Sequence, residues 1–298
     1  MPERAHRLTN RPAHPYDPEA DDTRSSLAGR QAREPGSGTA SGSPRPRRTP
    51  MNRPVAVVLA GGLGTRMKSR TPKVLHPVCG RPMLAYVLDA ARAATGADPV
   101  VVVSPATVAV RDAFPAGVSF ALQERPDGTG DALRAGLAAA PADADEVVVL
   151  SGDVPLVEAD LVAGLLARRR EASAVIALVS FETWEPGALG RVIRTDDGER
   201  VSRIVEAKDA DPGELAVGEV NAGFYAFDAA WLRGAVGRLT ASPVTGELYL
   251  TQLVDLAVAD GRLVVAHEAA DDGSLDGIND RVQLAEATAV MRERINTA

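Results

Sequence analysis

The segment Leu59-Ala60-Gly61-Gly62-Leu63-Gly64-Thr65-Arg66-Met67, with Pro72-Lys73 just beyond it, combines residue types that can bind an anion. Glycines directly after an apolar run let the backbone approach a ligand closely, and successive amides can then point at phosphate oxygens. Arg66 and Lys73 flank this turn in a chain with only three lysines, Lys68, Lys73 and Lys208. A plain strand-to-helix turn with surface cations would use the same residues, so the loop gains weight only from what surrounds it. Two other phosphate loops are excluded. A G-x-G-x-x-G beginning at Gly62 would need a small residue at Met67, and no G-K-[ST] occurs.

Two further positions carry chemistry. Asp153 follows the apolar run Glu146-Val-Val-Val-Leu150 and Ser151-Gly152, which puts a carboxylate at the end of a buried strand. A hard oxygen there suits Mg2+, which takes one or two protein groups and fills its other positions from water and substrate phosphates. The same side chain could instead cap the turn before Pro155. Gln123 closes the run Val118–Leu122, and its amide offers a donor and an acceptor to a pyrimidine edge, or equally to solvent. His76, Cys79 and Tyr249 belong to no nucleophile motif, and no Ser/His/Asp or Cys/His arrangement is visible.

The elements that must position these residues follow from hydrophobic pattern. The run 55–60 is continuously apolar, the mark of a strand buried on both faces, and similar runs lie at 99–103, 118–122 and 146–150. Segments 82–95, 107–114, 129–140 and 158–171 have helical spacing between and after them. Strand and helix in alternation predict an α/β fold around a mostly parallel, covered sheet. Beyond Ser173 the order becomes strand-rich, with runs at 174–181, 191–194, 201–206 and 220–227 and a hairpin turn at Asp196-Asp197-Gly198. Helices are expected over 229–239, 247–259 and 281–295, and a returning strand over 263–266.

Composition narrows the function. The chain has 298 residues, 45% hydrophobic, and a net charge of -7. Ten arginines and six acids in residues 1–53 give that stretch +4, which leaves -11 on the remainder. An acidic body argues against broad nucleic-acid binding, which needs a basic face. One cysteine excludes a disulfide framework, and no apolar run approaches the ~20 residues of a membrane span, so a cytoplasmic protein without membrane partners is expected. Residues 1–50 are rich in Pro, Gly, Ser and Arg and are expected to be disordered, with Met51 the expected translation start and 51–298 a single domain.

Taken together, the string from Leu59 to Leu84, Gln123, Gly128-Thr129-Gly130, Ser151-Gly152-Asp153-Val154-Pro155-Leu156 and Gly190-Arg191 resembles the sugar-1-phosphate nucleotidylyltransferases. The series continues in order through Ile204–Ala210, Glu219–Gly223, Glu247–Thr251 and Gly277-Ile278-Asn279. Within that family it is most similar to the uridylyltransferase domain of the bifunctional enzymes that make UDP-N-acetylglucosamine. The resemblance implies a Rossmann-like nucleotidyltransferase fold, with a mixed, mostly parallel sheet and antiparallel strands covering the sugar. It implies that Arg66 and Lys73 are catalytic, neutralising the triphosphate of UTP, and that Leu59, Ala60, Gly61, Gly62 and Gly64 cradle it. Gln123 would pair with uracil, supported by Gly128 and Thr129, with Ser151 and Gly152 also on the substrate. Gly190, Glu206 and Asn221 would contact the sugar 1-phosphate, and Asp153 with Asn279 would hold one Mg2+.

Several positions depart from the family pattern. Ala60-Gly61-Gly62-Leu63 replaces the commoner Ala-Ala-Gly-Lys, Ala188-Leu189 precedes Gly190-Arg191 in place of Gly-Tyr, Asp131 stands where a His follows the Gly-Thr-Gly turn, and Gln252 replaces an Asp. Glucose 1-phosphate or dTTP as substrate, or a nucleotide-sugar-binding regulator, are the alternative readings. A nicotinamide oxidoreductase is disfavoured by the missing dinucleotide fingerprint. The hexapeptide repeats of the family's acetyltransferase half do not follow residue 295, so a uridylyltransferase without that half is expected, as a monomer or weak homo-oligomer.

Overall fold

Side-chain alternation shows why the first strand forms and where it lies. In β1 (Pro54–Leu59), Val55 and Val57 join one apolar cluster and Ala56 and Val58 another, all four buried. A strand apolar on both faces needs a layer of structure above and below. The computed structural model, which describes residues 52–270 and 273–297, supplies both layers. The tail expected to be disordered, and the expected start at Met51, lie outside the described residues.

From β1 the chain passes through one-turn 3-10 helices at Thr65–Met67 and Lys73–Leu75 and a short ribbon, β2 (Pro77–Val78) with β3 (Arg81–Pro82), into α1 (Met83–Thr95). It continues as β4 (Val100–Val103), α2 (Val110–Ala113), β5 (Ser119–Leu122), α3 (Thr129–Ala139), β6 (Glu146–Ser151) and α4 (Ala159–Ala172). Next come β7 (Ile176–Glu182), β8 (Arg191–Arg194), β9 (Val201–Val205), α5 (Pro212–Leu215) and β10 (Glu219–Asp228). The last described elements are α6 (Ala229–Ala235), α7 (Gln252–Ala259), β11 (Val264–Glu268) and α8 (Arg281–Thr297).

The strands form one mixed sheet in the order β11-β7-β10-β6-β1-β4-β5, with β8 pairing β10 and β9. β6, β1, β4 and β5 are mutually parallel, β11 is parallel to β7, and β10 is antiparallel to both β6 and β7. Helices α1, α4 and α8 cover one face through Val87, Leu88, Leu165 and Met291, and α3, α6 and α7 cover the other through Leu133, Leu137, Leu232 and Leu253. Among the described residues no helix is long and apolar enough to cross a membrane.

Three expected helices are shorter than their apolar spacing. Glu247 to Thr251 stays outside α7 because the Leu248 backbone is already engaged, its N–H donating to Asp127 O and its carbonyl accepting from Gly130 N, each at 2.7 Å. The segment from Thr107 is helical only over α2, because the Thr107 hydroxyl accepts from Ser104 N at 2.9 Å. The helix expected over 229–239 ends at Ala235 in a 3-10 turn, Val236–Arg238.

Candidate active site

Four parallel strands deliver their carboxyl ends to one edge of the sheet, the place where open α/β sheets bind ligands. β1 hands over to Ala60-Gly61-Gly62, β4 to Ser104, β5 to Gln123 and β6 to Gly152-Asp153. There a cleft of about 290 Å³ is lined by Leu59, Ala60, Gly61, Gly62, Lys73, Gln123, Gly128, Thr129, Ser151 and Asp153, with Glu247 at its rim. Gly152 fixes the joint between β6 and β1 by donating its N–H to Leu59 O at 2.9 Å. Ser104, which sequence reasoning missed, donates its hydroxyl to Gly61 O at 2.8 Å and anchors the glycine loop.

Lys73 is placed by the loop itself. Gly64 adopts a left-handed conformation with φ 60°, and a Cβ there would stand 2.5 Å from the Lys73 Cβ. The Lys73 ammonium donates to Asp153 Oδ2 and, at 3.1 Å, to Asn279 Oδ1. Asn279 is oriented by its Nδ2, which donates to Gly277 O at 2.8 Å, and the Ile278 N–H reaches Asp153 O at 2.9 Å. Two hard oxygens from distant segments thus converge on one cation in a half-buried spot, where the Lys73 and Asp153 side chains are 11% and 21% exposed. Arg66 is not part of this group. It is exposed on the Thr65–Met67 turn and does not line the cleft.

The Gly128-Thr129 turn is tied to the chain beyond α6. Gly128 has φ 110°, and a Cβ would fall 2.5 Å from Leu248 O. Thr129 Oγ1 accepts from Leu250 N at 3.0 Å. Gln123 Nε2 donates to Gly128 O and to Asp131 Oδ2, each at 3.0 Å.

Gly190, Glu206 and Asn221 gather as a second group. Asn221 N donates to Gly190 O at 2.9 Å, and a Cβ on Gly190 would lie 3.8 Å from Glu206 Oε2. Glu206 and Asn221 do not face each other from adjacent strands, because β8 runs between β9 and β10. The two groups meet where the bulge in β10 brings Gly223 toward β6, a Cβ there lying 3.6 Å from Ser151 Oγ. Thr251 Oγ1 donates to Glu206 Oε1 at 2.8 Å, a partner not foreseen in the sequence. Burial pushes the Glu206 carboxyl above its ordinary value, the Thr251 hydrogen bond opposes this, and the carboxylates of Asp209 and Glu247 add to it. Glu206 also opens on a second cleft, about 350 Å³, shared with Tyr249, Thr251 and Arg203. Tyr249 shares a hydrogen bond with Thr245 at 2.7 Å, and Cys79 Sγ donates to Thr288 O at 3.5 Å.

A glycine loop, a lysine and an acid–amide pair at the carboxyl edge of a mostly parallel sheet are the outline of a nucleotidyltransferase. Residues 56–211 match the family model described as the MobA-like NTP transferase domain, and the chain belongs to this family. It is similar to the bifunctional protein GlmU of Mycolicibacterium vanbaalenii, 44% identical over 247 residues, or 80% of this chain and 50% of that protein. It is also similar to the bifunctional protein GlmU of Heliobacterium modesticaldum, 41% identical over 245 residues, or 82% of this chain and 53% of that protein. The chain spans about half the length of these curated relatives.

Solved structures share the fold at low identity. A CMP:2-keto-3-deoxy-manno-octonic acid synthetase complexed with CTP aligns with TM-score 0.58 and 21% identity, over 81% of this chain and 99% of that one. A putative glucose-1-phosphate thymidylyltransferase from Bacillus anthracis aligns with TM-score 0.62 and 20% identity, over 80% of this chain and 95% of that one.

Proposed function

We propose that this chain transfers a uridylyl group from UTP to N-acetylglucosamine 1-phosphate, giving UDP-N-acetylglucosamine and pyrophosphate. The observation that carries the reading is the convergence of the glycine loop, Lys73, Asp153 and Gln123 on one cleft. The similarity to the GlmU proteins supports the choice of sugar and nucleotide.

The chemistry asks little of a protein base. A sugar 1-phosphate is ionised near neutral pH, so its oxygen attacks the α-phosphorus in line, the bond to the bridging α–β oxygen breaks, and pyrophosphate leaves with both electrons of that bond. Catalysis then rests on positioning and on neutralising charge. The Gly61–Gly64 amides cradle the phosphates and Lys73 neutralises them, with Arg66 adding a second cation at the loop. Gly190, Asn221 and the Glu206 carboxylate hold the sugar, the carboxylate accepting from its hydroxyls.

A divalent cation fits the donor set. Asp153 and Asn279 already aim two oxygens at one positive charge, the Lys73 ammonium. Mg2+ needs few protein ligands beside substrate phosphates, and Asp153 with Asn279 would supply them. Bound there, Mg2+ supplies charge neutralisation on the transferring and leaving phosphates.

Pyrophosphate release tests the reading, with UTP and dTTP crossed against N-acetylglucosamine 1-phosphate and glucose 1-phosphate. Fastest release with UTP and the N-acetylated sugar supports it. A different preferred pair moves the substrate, and nucleotide binding without release from any pair would make the chain a regulator.

A further inference from the structure

Gln123 can read a base only if its amide is held one way round, because its carbonyl and NH2 ends exchange on a half-turn. In this chain the NH2 end is committed on both protons, to Gly128 O and Asp131 Oδ2, each at 3.0 Å. Turning the amide would set its oxygen against a carbonyl and a carboxylate, three acceptors with no donor among them. Asp131 is itself fixed. It is 9% exposed, in the first turn of α3 where the helix end favours negative charge, and it pairs with Arg134. The Gln123 Oε1 end lies beside Gly61, where a Cβ would stand 3.2 Å from it, on the wall of the cleft. Among the described residues no donor is bonded to that oxygen.

We infer that Asp131 is a positioning residue that locks Gln123 as a hydrogen-bond acceptor toward the base. The cleft then selects a pyrimidine whose ring N3 carries a proton, uracil or thymine, against cytosine, whose N3 is an acceptor. The inference rests on the nucleotide site proposed above, though not on the sugar. The fold does not settle the base, since the synthetase complexed with CTP shares it. The carboxylate matters because it cannot donate. An amide at position 131 could turn its own NH2 toward Gln123, which leaves Gly128 O as the one acceptor still holding the orientation and weakens the lock.

The test is titration of UTP and CTP into the full chain by calorimetry, for the wild type, Asp131→Asn and Asp131→Ala, with thermal unfolding of the same preparations. Pyrophosphate release gives a parallel ratio of kcat/KM for the two nucleotides. The wild type is expected to prefer UTP by about a hundredfold or more, because a wrongly paired base leaves Gln123 unsatisfied. In Asp131→Asn that preference falls by about tenfold or more, the change appearing in Kd and KM for the two nucleotides.

An unchanged preference in Asp131→Asn, or UTP and CTP weakened by one common factor, overturns the inference and leaves Asp131 a helix-terminal acid. So does a wild type that does not discriminate or binds neither nucleotide. If Asp131→Ala fails to fold, the near-isosteric Asp131→Asn decides alone. A wild type that binds UTP selectively yet releases no pyrophosphate refutes the proposed reaction, while the binding ratios still judge Asp131.

Discussion

Replacing Lys73 by methionine keeps the aliphatic stem that packs on Gly64 and deletes only the ammonium. Asp153 Oδ2 and Asn279 Oδ1 then face the same point with no cation between them. A hydrogen bond to a charged group contributes about 1.5–3 kcal/mol, and the partial exposure of this pair places its loss near the lower end, about 2 kcal/mol. In a domain of this size each kcal/mol moves Tm by about 2–4 °C, so a fall of about 4–8 °C is expected in metal-free buffer. Turnover should fall more than tenfold, equivalent to over about 1.4 kcal/mol of transition-state stabilisation.

Magnesium makes the prediction specific. Because the ammonium and the metal compete for the same two oxygens, added Mg2+ should raise the Tm of Lys73→Met more than that of the wild type. Differential scanning calorimetry with and without MgCl2, alongside pyrophosphate release, gives every quantity needed. Near-wild-type kcat/KM would remove Lys73 from the mechanism, and equal magnesium shifts in the two proteins would refute the shared site.

Three other changes test neighbouring parts. Asp153→Asn should raise the Mg2+ concentration needed for half-maximal pyrophosphate release, and an unchanged midpoint would count against Asp153 as a ligand. Gly128→Ala forces a side chain into a glycine-only conformation against Leu248 O and should cost about 1–3 kcal/mol in urea unfolding, with weaker UTP binding. Wild-type stability there would show that the turn can shift freely. Burial holds the Glu206 pKa above its unfolded value, so the native state binds more protons in that window and the stability contribution falls as pH rises through it. Glu206→Gln should therefore be the more stable protein near neutral pH, with its advantage shrinking as pH falls through the raised Glu206 pKa toward the ordinary carboxylate range. A difference independent of pH would mean Glu206 is not desolvated.

Much of the positioning was readable because it rests on strong local signals. Apolar runs mark β1, β4 and β6 as strands covered on both faces, β5 at the sheet edge is only partly buried, and the carboxyl ends of the four gather Gly61, Ser104, Gln123 and Asp153. Gly64 and Gly128 both take the positive φ that sequence reasoning associates with glycine turns. What stayed hidden depends on contacts between distant segments. Nothing local to Leu248 says that its backbone will be claimed by Asp127 and Gly130, so the helical spacing of 247–251 misleads. Thr251 on Glu206, and Asp131 on Gln123, are likewise visible only once the strands are in place. Arg66 is exposed on a one-turn helix beside the cleft, a placement that its position next to the glycine loop does not reveal. The departure at Asp131 was legible as a changed residue, but its consequence was not.

The most direct measurement follows the atoms. N-acetylglucosamine 1-phosphate carrying heavy oxygen on its phosphate would be incubated with UTP, Mg2+ and the protein, and the products analysed by mass spectrometry. Attack of the sugar phosphate on the α-phosphorus predicts UDP-N-acetylglucosamine retaining all of the label and pyrophosphate carrying none. Label in the pyrophosphate, or no labelled nucleotide sugar at all, would contradict the account.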